Sequence, residues 1–352
     1  MAIEAAKRFI AAASGRVVVA SHNDVDGLSG AIIVSRALGA AGAAVQVLPG
    51  RRGEHVHQDV MRRRISASRP DALVVVDMGT RSGAIIPGVP TLVVDHHSAT
   101  GGVPDGVLLV NGYDRDPVAP SSVLAYVICR DLPGGESSAW LAALGAVADV
   151  GTAAPFASLL GFQARGTAWS KAISLLNAAR RAPEDDIETA LRVLQRATDV
   201  RDITNARDAD VARLDGYRRA VQAEVDRVSR VPPQIYGDAA VLRFASKAQI
   251  HPIIATRWSR RLAPAVVIAA NEGYLPGRVN FATRSHSDVD LLQWLRGLPF
   301  TPSSESEYAN GHPRATGGSL PVDDFEHFID VLRARADALS GPTPSRAGRP
   351  QP

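Results

Sequence analysis

The chain has 352 residues, 45% of them hydrophobic, with 39 Lys+Arg against 36 Asp+Glu and a net charge of +3. That length suits about two domains, the apolar content excludes a generally disordered chain, and the near-balance of charge does not demand a nucleic-acid partner. A single cysteine, Cys129 in an apolar run, excludes an internal disulfide and a multi-cysteine metal site; no apolar run nears the ~20 residues that span a bilayer.

Residues 2–13 read as a short amphipathic helix without a signal-peptide layout, so the expected compartment is the cytoplasm. Apolar β-runs then alternate with helical stretches. The pattern predicts strand 17–21, helix 28–42, strand 44–48, helix 54–66, strands 72–77 and 91–95, and helices near 121–131 and 136–148. Fully apolar strands separated by helices predict an α/β unit with a parallel sheet covered on both faces. Ligands of such sheets sit beyond the carboxyl ends of the strands. From about 165 to 232 charged helical sequence replaces the strands, a helical connector ended by Val231-Pro-Pro. A second, smaller α/β unit is expected next, with strands at 239–244, 265–270 and 278–283 and helices near 250–261, 287–297 and 323–337. The Pro/Gly/Ser-rich residues 340–352 read as a disordered tail. The expected divisions are therefore 1–164, 165–232, 233–339 and 340–352.

Four segments of the first 150 residues end or interrupt apolar runs with the same chemistry. They are Ser-His-Asn-Asp-Val-Asp-Gly at 21–27, Asp77, Asp95-His96-His97, and Asp149. Carboxylates and imidazoles at strand ends are costly unless something pairs with them, and metal cations are the obvious partners. Asp24 and Asp26, two apart, would share one side of an extended strand; the motif also reads as an Asx turn that caps a helix from 28. Asp77 alone fits a turn or a cap. Asp149 closes an Ala-rich helix, where its charge opposes the macrodipole and invites a compensating cation. The oxygen-rich set, with imidazole and no thiolate, suits Mn²⁺, with Mg²⁺, Fe²⁺ or Co²⁺ as substitutes, better than structural Zn²⁺. Several carboxylates at one site suggest two ions roughly 3.5–4 Å apart, the arrangement that clamps an in-line displacement at phosphorus. Hydrolysis of a phosphate ester or anhydride is the chemistry this predicts.

Softer candidates surround this set. Arg51, Arg52, His55 and His57 follow strand 44–48 and read equally as a solvated loop or a phosphate contact. Residues 62–64, three arginines, read as an exposed helix face, and Asn177 and Arg180 as helix packing or backbone contacts to nucleic acid.

The order and spacing of Asp24-x-Asp26, Asp77, Asp95-His96-His97 and Asp149 resemble the DHH phosphoesterase superfamily. The second unit resembles the DHHA1 domain through Gly277-Arg-Val-Asn-Phe-Ala-Thr-Arg-Ser and Asn310-Gly-His-Pro-Arg-Ala-Thr-Gly-Gly. Residues 173–181 and 250–257 are similar to the connector and second-domain openings of RecJ-type exonucleases. The resemblance implies a DHH domain, a helical connector and a DHHA1 domain, with an active-site cleft between the lobes. It implies that His22, Asp24 and Asp77 hold one Mn²⁺ and that Asp26, His96 and Asp149 hold a second, Asp77 bridging. His97 would face the scissile phosphate and Asp95 would orient a histidine. Arg284, Asn310, Gly311 and His312 would grip the substrate phosphate. His22 stands two residues before Asp24, where some relatives have four, and Ala309-Asn310 replaces part of a glycine run.

The expected function is a metal-dependent phosphodiesterase that cuts single-stranded nucleic acid or short oligonucleotides to nucleoside monophosphates. A small-nucleotide phosphodiesterase, acting on a cyclic dinucleotide or phosphoadenosine phosphate, and a non-catalytic DNA-binding scaffold are the alternatives. No membrane is implied; association with a second copy or a partner protein stays open.

Overall fold

A computed structural model describes residues 1–340 apart from 100–101, 263, 265 and 305–306, and leaves the side chains at 310, 312 and 340 undescribed. The expected tail, but for residue 340, therefore lies outside the described residues. The chain forms two compact units, 1–221 and 222–352. Among the described residues no helix is long and apolar enough to cross a membrane.

The first unit is built on strands β1 (Arg16–Ser21), β2 (Ala44–Pro49), β3 (Ala72–Val76), β4 (Thr91–Asp95) and β5 (Val107–Asn111). They form one sheet in the order β2-β1-β3-β4-β5, parallel throughout. Alternation along each strand sends its apolar residues to both faces. Val17, Val19, Val74, Val76, Leu92 and Val94 join helices α1 (Ala2–Ala11), α2 (Val25–Ala40), α4 (Ser121–Cys129) and α5 (Ala139–Val150) in one core. Val18, Ala20, Leu73, Val75 and Val93 meet Met61 and Ile65 of α3 (Asp59–Ala67) in another. A sheet covered on both faces excludes water from its ladders, which is why these strands carry unbroken apolar runs.

The first core continues into the charged helical region. Leu175 and Leu176 of α7 (Thr167–Arg181), Ile187 and Leu194 of α8 (Ile187–Arg196), and Leu214 of α10 (Ala209–Val228) all belong to it. α6 (Ala157–Leu160) precedes α7, and α9 (Val200–Asn205) lies between α8 and α10. The second unit holds a six-stranded mixed sheet, β10-β11-β9-β8-β7-β6, with β7 (Ala239–Phe244) and β8 (Val266–Leu275) parallel. The remaining strands are β6 (Gln234–Tyr236), β9 (Arg278–Arg284), β10 (Asn310–His312) and β11 (Ala315–Pro321). Phe281, Phe325 and Phe328 anchor its core, closed by α12 (Leu291–Arg296) and α13 (Val322–Ser340). α11 (His251–Ser259) follows β7.

Several boundaries differ from expectation. Helix α2 begins at Val25, not 28, because the Asp24 carboxylate caps it by accepting the Gly27 N–H at 3.0 Å. Helix α3 begins at Asp59, not 54, because Glu54 and Gln58 side chains accept backbone N–H groups of Arg51 and His55 and fold 51–58 into turns. Strand β5, a partly exposed edge strand, and strands β6, β10 and β11 were not expected: β6 and β10 have 3 residues each and β11 carries a glycine pair, whereas β5 is an apolar run that the predicted elements leave out.

Candidate metal centre

The sheet order reverses between β1 and β3, the crevice where such sheets bind ligands. His22 follows β1 and donates its backbone N–H to Val76 O of β3; Asp77 follows β3 and donates to Val94 O of β4. Asp95 ends β4 opposite Asn111 of β5. Strand register alone therefore lines up His22, Asp77 and Asp95 along the carboxyl edge, with His96 and His97 just beyond. Asp77 takes φ +64°, a left-handed conformation that Asp tolerates better than bulkier residues and that turns the chain sharply at the edge.

Two groups of three side chains converge there. Ligand atoms of His22, Asp24 and Asp77 lie within 4.8 Å of one another, as do those of Asp77, His96 and His97. Asp77 belongs to both. His22 Nδ1 is 2.9 Å from Asp24 Oδ2 and 3.4 Å from Asp77 Oδ2. On the other side Asp77 Oδ1 lies 3.9 Å from His96 Nδ1 and 3.8 Å from His97 Nδ1. Asp26 Oδ2 stands 3.7 Å from His96 Nδ1, and Asp149 Oδ2 stands 3.7 Å from His96 Nε2. His97 Nδ1 is 2.9 Å from Asp95 Oδ1.

The carboxylates arrive by different routes. Asp26 does not share an extended strand with Asp24; it sits in the first turn of α2, just past the Asp24 cap. The start of α4 grips it: Ser121 N–H donates to Oδ2 at 2.8 Å, while Ser122 N–H and Oγ donate to Oδ1 at 3.1 and 2.5 Å. Ser121 Oγ donates to Asp77 Oδ1 at 3.0 Å. Sequence reasoning missed both serines, though Pro120 followed by Ser-Ser and an apolar run is a helix-start signal. Close approach of α2 to its neighbours needs glycine. A Cβ on Gly30 would stand 2.7 Å from Val76 Cγ1, and one on Gly145 of α5 would stand 2.5 Å from Asp26 Oδ1 and closer still to Ser122 Oγ.

The charges are mutually uncomfortable. Burial, then the Asp77 charge, pushes the Asp26 carboxyl well above its usual range. Burial and Asp24 push Asp77 up to about 6, and burial with Asp26 and Asp24 pushes Asp149 up to about 7. Burial favours neutral His22, yet Asp24 and Asp77 outweigh it and push the ring up to about 10. His97 behaves alike: against burial, the Asp95 hydrogen bond and Asp77 push it up to about 9. Asp24 goes the other way, since His22, with Arg180 further off, outweighs burial and holds it well below the carboxylate range. Asp95 is fully buried, and its Oδ2 has no hydrogen-bond partner among the described residues. An excess of buried carboxylate and an all-oxygen-and-imidazole donor set fit divalent cations.

The surrounding candidates divide. Arg52 is a structural tie: its N–H donates to Asp185 Oδ2 at 2.7 Å and its guanidinium to Ala182 O at 2.6 Å. Arg64 is no exposed face residue; it pairs with Glu54. Arg180 donates to Asn177 Oδ1 at 3.0 Å. Cys129 is fully buried and burial pushes its thiol up to about 12, an inert group.

In the second unit β11 lies between β9 and β10, so Thr316 pairs with both Thr283 and Gly311. Arg284 follows Thr283 and donates to Thr283 O at 2.9 Å and Thr316 O at 3.4 Å. Gly311 takes φ +123°, and a Cβ there would collide with Ala315 O. Arg284 and Gly311 thus flank one strand. The Asn310 and His312 backbones pair in β10, but their side chains lie outside the described residues.

Residues 16–148 match the model of the DHH family, N-terminal domain. Among solved structures, RecJ from Thermus thermophilus in complex with Mn²⁺ matches with TM-score 0.68 and 20% identity, over 96% of this chain and 55% of that one. The chain thus spans about half the length of that protein. Exonuclease RecJ bound to manganese matches with TM-score 0.66 and 21% identity, over 96% and 94% of the two chains. The DHH domain of a member of a family of ribosomal proteins matches with TM-score 0.57 and 14% identity, over 95% and 89%. No curated protein matches the sequence. These likenesses are of fold.

Proposed function

We propose that this chain, which carries a DHH-family N-terminal domain on a RecJ-like fold, is a metal-dependent phosphodiesterase that cuts single-stranded nucleic acid or short oligonucleotides to nucleoside monophosphates. The observation that supports it most is Asp77, whose Oδ2 faces His22 at 3.4 Å while its Oδ1 faces His96 at 3.9 Å. In this reading His22, Asp24 and Asp77 hold one cation, and Asp77, Asp26, His96 and Asp149 the second, with Mn²⁺ favoured and Mg²⁺ or Co²⁺ as substitutes. When bound, the cations would supply Lewis-acid charge at the phosphoryl oxygens and lower the pKa of the attacking water.

The protein's own residues then have distinct tasks. Ser121 and Ser122 hold Asp26 so that both its oxygens keep a fixed direction. Asp95 accepts from His97 Nδ1 and so fixes that ring. His97, its Nδ1 tied to Asp95, offers its Nε2–H to a phosphate oxygen or passes that proton to the leaving oxygen as the P–O bond breaks. In the second unit Arg284 and Gly311, with Asn310 and His312, bind substrate phosphate: an arginine fork offers paired donors and glycine lets backbone N–H groups come close.

The test is hydrolysis with Mn²⁺ of end-labelled oligonucleotides from two to about thirty nucleotides, beside cyclic dinucleotides and phosphoadenosine phosphate. Monophosphate release from the oligonucleotides is expected. Activity confined to the small nucleotides would replace this reading, and no hydrolysis at all would favour a binding scaffold.

A further inference from the structure

The turns between β2 and α3 carry two imidazoles to the same sheet edge. His57 Nε2 lies 3.2 Å from Gly79 O, two residues past Asp77, and the His55 and His57 rings stack at 5.3 Å. The His57 backbone N–H donates to His55 Nδ1 at 3.3 Å. A ring nitrogen that accepts carries no proton, so the proton of a neutral His55 sits on Nε2. That Nε2 stands over Gly79, 3.9 Å from where a Cβ would be. His55 is half-buried, and among the described residues its Nε2 has no hydrogen-bond partner. The segment is held before any ligand arrives: His55 N–H donates to Gln58 Oε1 at 3.1 Å, and Gly50 N–H to Ser21 O of β1 at 2.8 Å. Burial, then Arg81 and the histidines His57, His22 and His97, pushes the ring down to about 3, so it is neutral at working pH.

We propose that His55 is a substrate-binding residue of this centre, its Nε2–H donating to a phosphate oxygen of the substrate beside Gly79. This rests on the phosphodiesterase reading above. A cation would need the Nε2 lone pair, which the His57 amide denies by occupying Nδ1 as acceptor. An anionic oxygen needs the donor that remains. Being neutral, the ring adds nothing to the charge the carboxylates set for the cations, and a donor to a charged oxygen is the stronger class of hydrogen bond.

Two measurements test this on the full chain. Long-range ¹H–¹⁵N imidazole spectra, with His55 identified by its loss in His55→Gln, are expected to show the Nε2–H tautomer and a shift of that signal on titration with thymidine 5′-monophosphate. In Mn²⁺-dependent hydrolysis of a tetranucleotide, His55→Ala is expected to raise KM about tenfold with kcat little changed. His55→Gln, which keeps an N–H donor, should recover most of that loss, and thermal unfolding should not move. An Nδ1–H tautomer, or an unchanged KM in His55→Ala, overturns the proposal; weakened Mn²⁺ affinity overturns it in favour of a cation ligand. A wild-type chain that cuts no oligonucleotide defeats the phosphodiesterase reading instead, and the tautomer and nucleotide titration still decide His55.

Discussion

A carboxylate buried at the end of a strand is costly to keep charged, and Asp95 carries that cost for the sake of one ring. Burial works against its charge, but the His97 hydrogen bond together with the His97 and His96 charges outweighs it and lowers its pKa. The pair keeps a proton on His97 Nδ1 and fixes the ring's orientation, as carboxylates behind functional imidazoles commonly do. Asp95→Asn keeps the shape and removes the charge. It should lower kcat for oligonucleotide hydrolysis about 10–100-fold without lowering the melting temperature; wild-type kcat in this variant would contradict the assignment. At this scale the sequence was informative where chemistry is rare. Asp95-His96-His97 after an apolar run had few other readings. It was uninformative for Ser121 and Ser122, whose partner Asp26 lies 95 and 96 residues away, and for His55, whose tautomer depends on a turn rather than on a motif.

Among the elements, the close junction of α2, α4 and α5 decides whether Asp26 can be held at all. Gly145 is where α5 meets Ser122 and Asp26 with no room for a methyl. Gly145→Ala should cost about 1–3 kcal/mol by overpacking and weaken Mn²⁺ binding. Gly39, near the end of α2, has nothing within 4 Å of a new Cβ, so Gly39→Ala should stabilise by about 0.4–1 kcal/mol. Chemical denaturation of the two variants checks this, and equal effects would refute the packing argument. The buried strands β1, β3 and β4 were legible because a sheet covered on both faces requires unbroken apolar runs. The start of α3 was not, since Glu54 and Gln58 look like helix formers yet spend their side chains on turn N–H groups. The strand paired with Arg284 was hidden for a different reason: β11 carries a glycine pair and its register is set by β9, beyond α12, while β10 spans only 3 residues.

For the molecule as a whole, the fold class was readable because alternating strands and helices leave few topologies. The change to charged helices near 165 marks a change of element, whereas the first core runs on to Leu214; one face of each amphipathic helix suffices to extend it. The sheet reversal between β1 and β3 then gathers residues from 22 to 149 at one edge. On this account that edge holds two cations through a shared Asp77. Equilibrium dialysis against Mn²⁺ tests the claim directly. The wild-type chain should bind two ions, and Asp77→Ala should lose tight binding of both together with oligonucleotide hydrolysis. A single ion in the wild type, or two retained in Asp77→Ala, would contradict it.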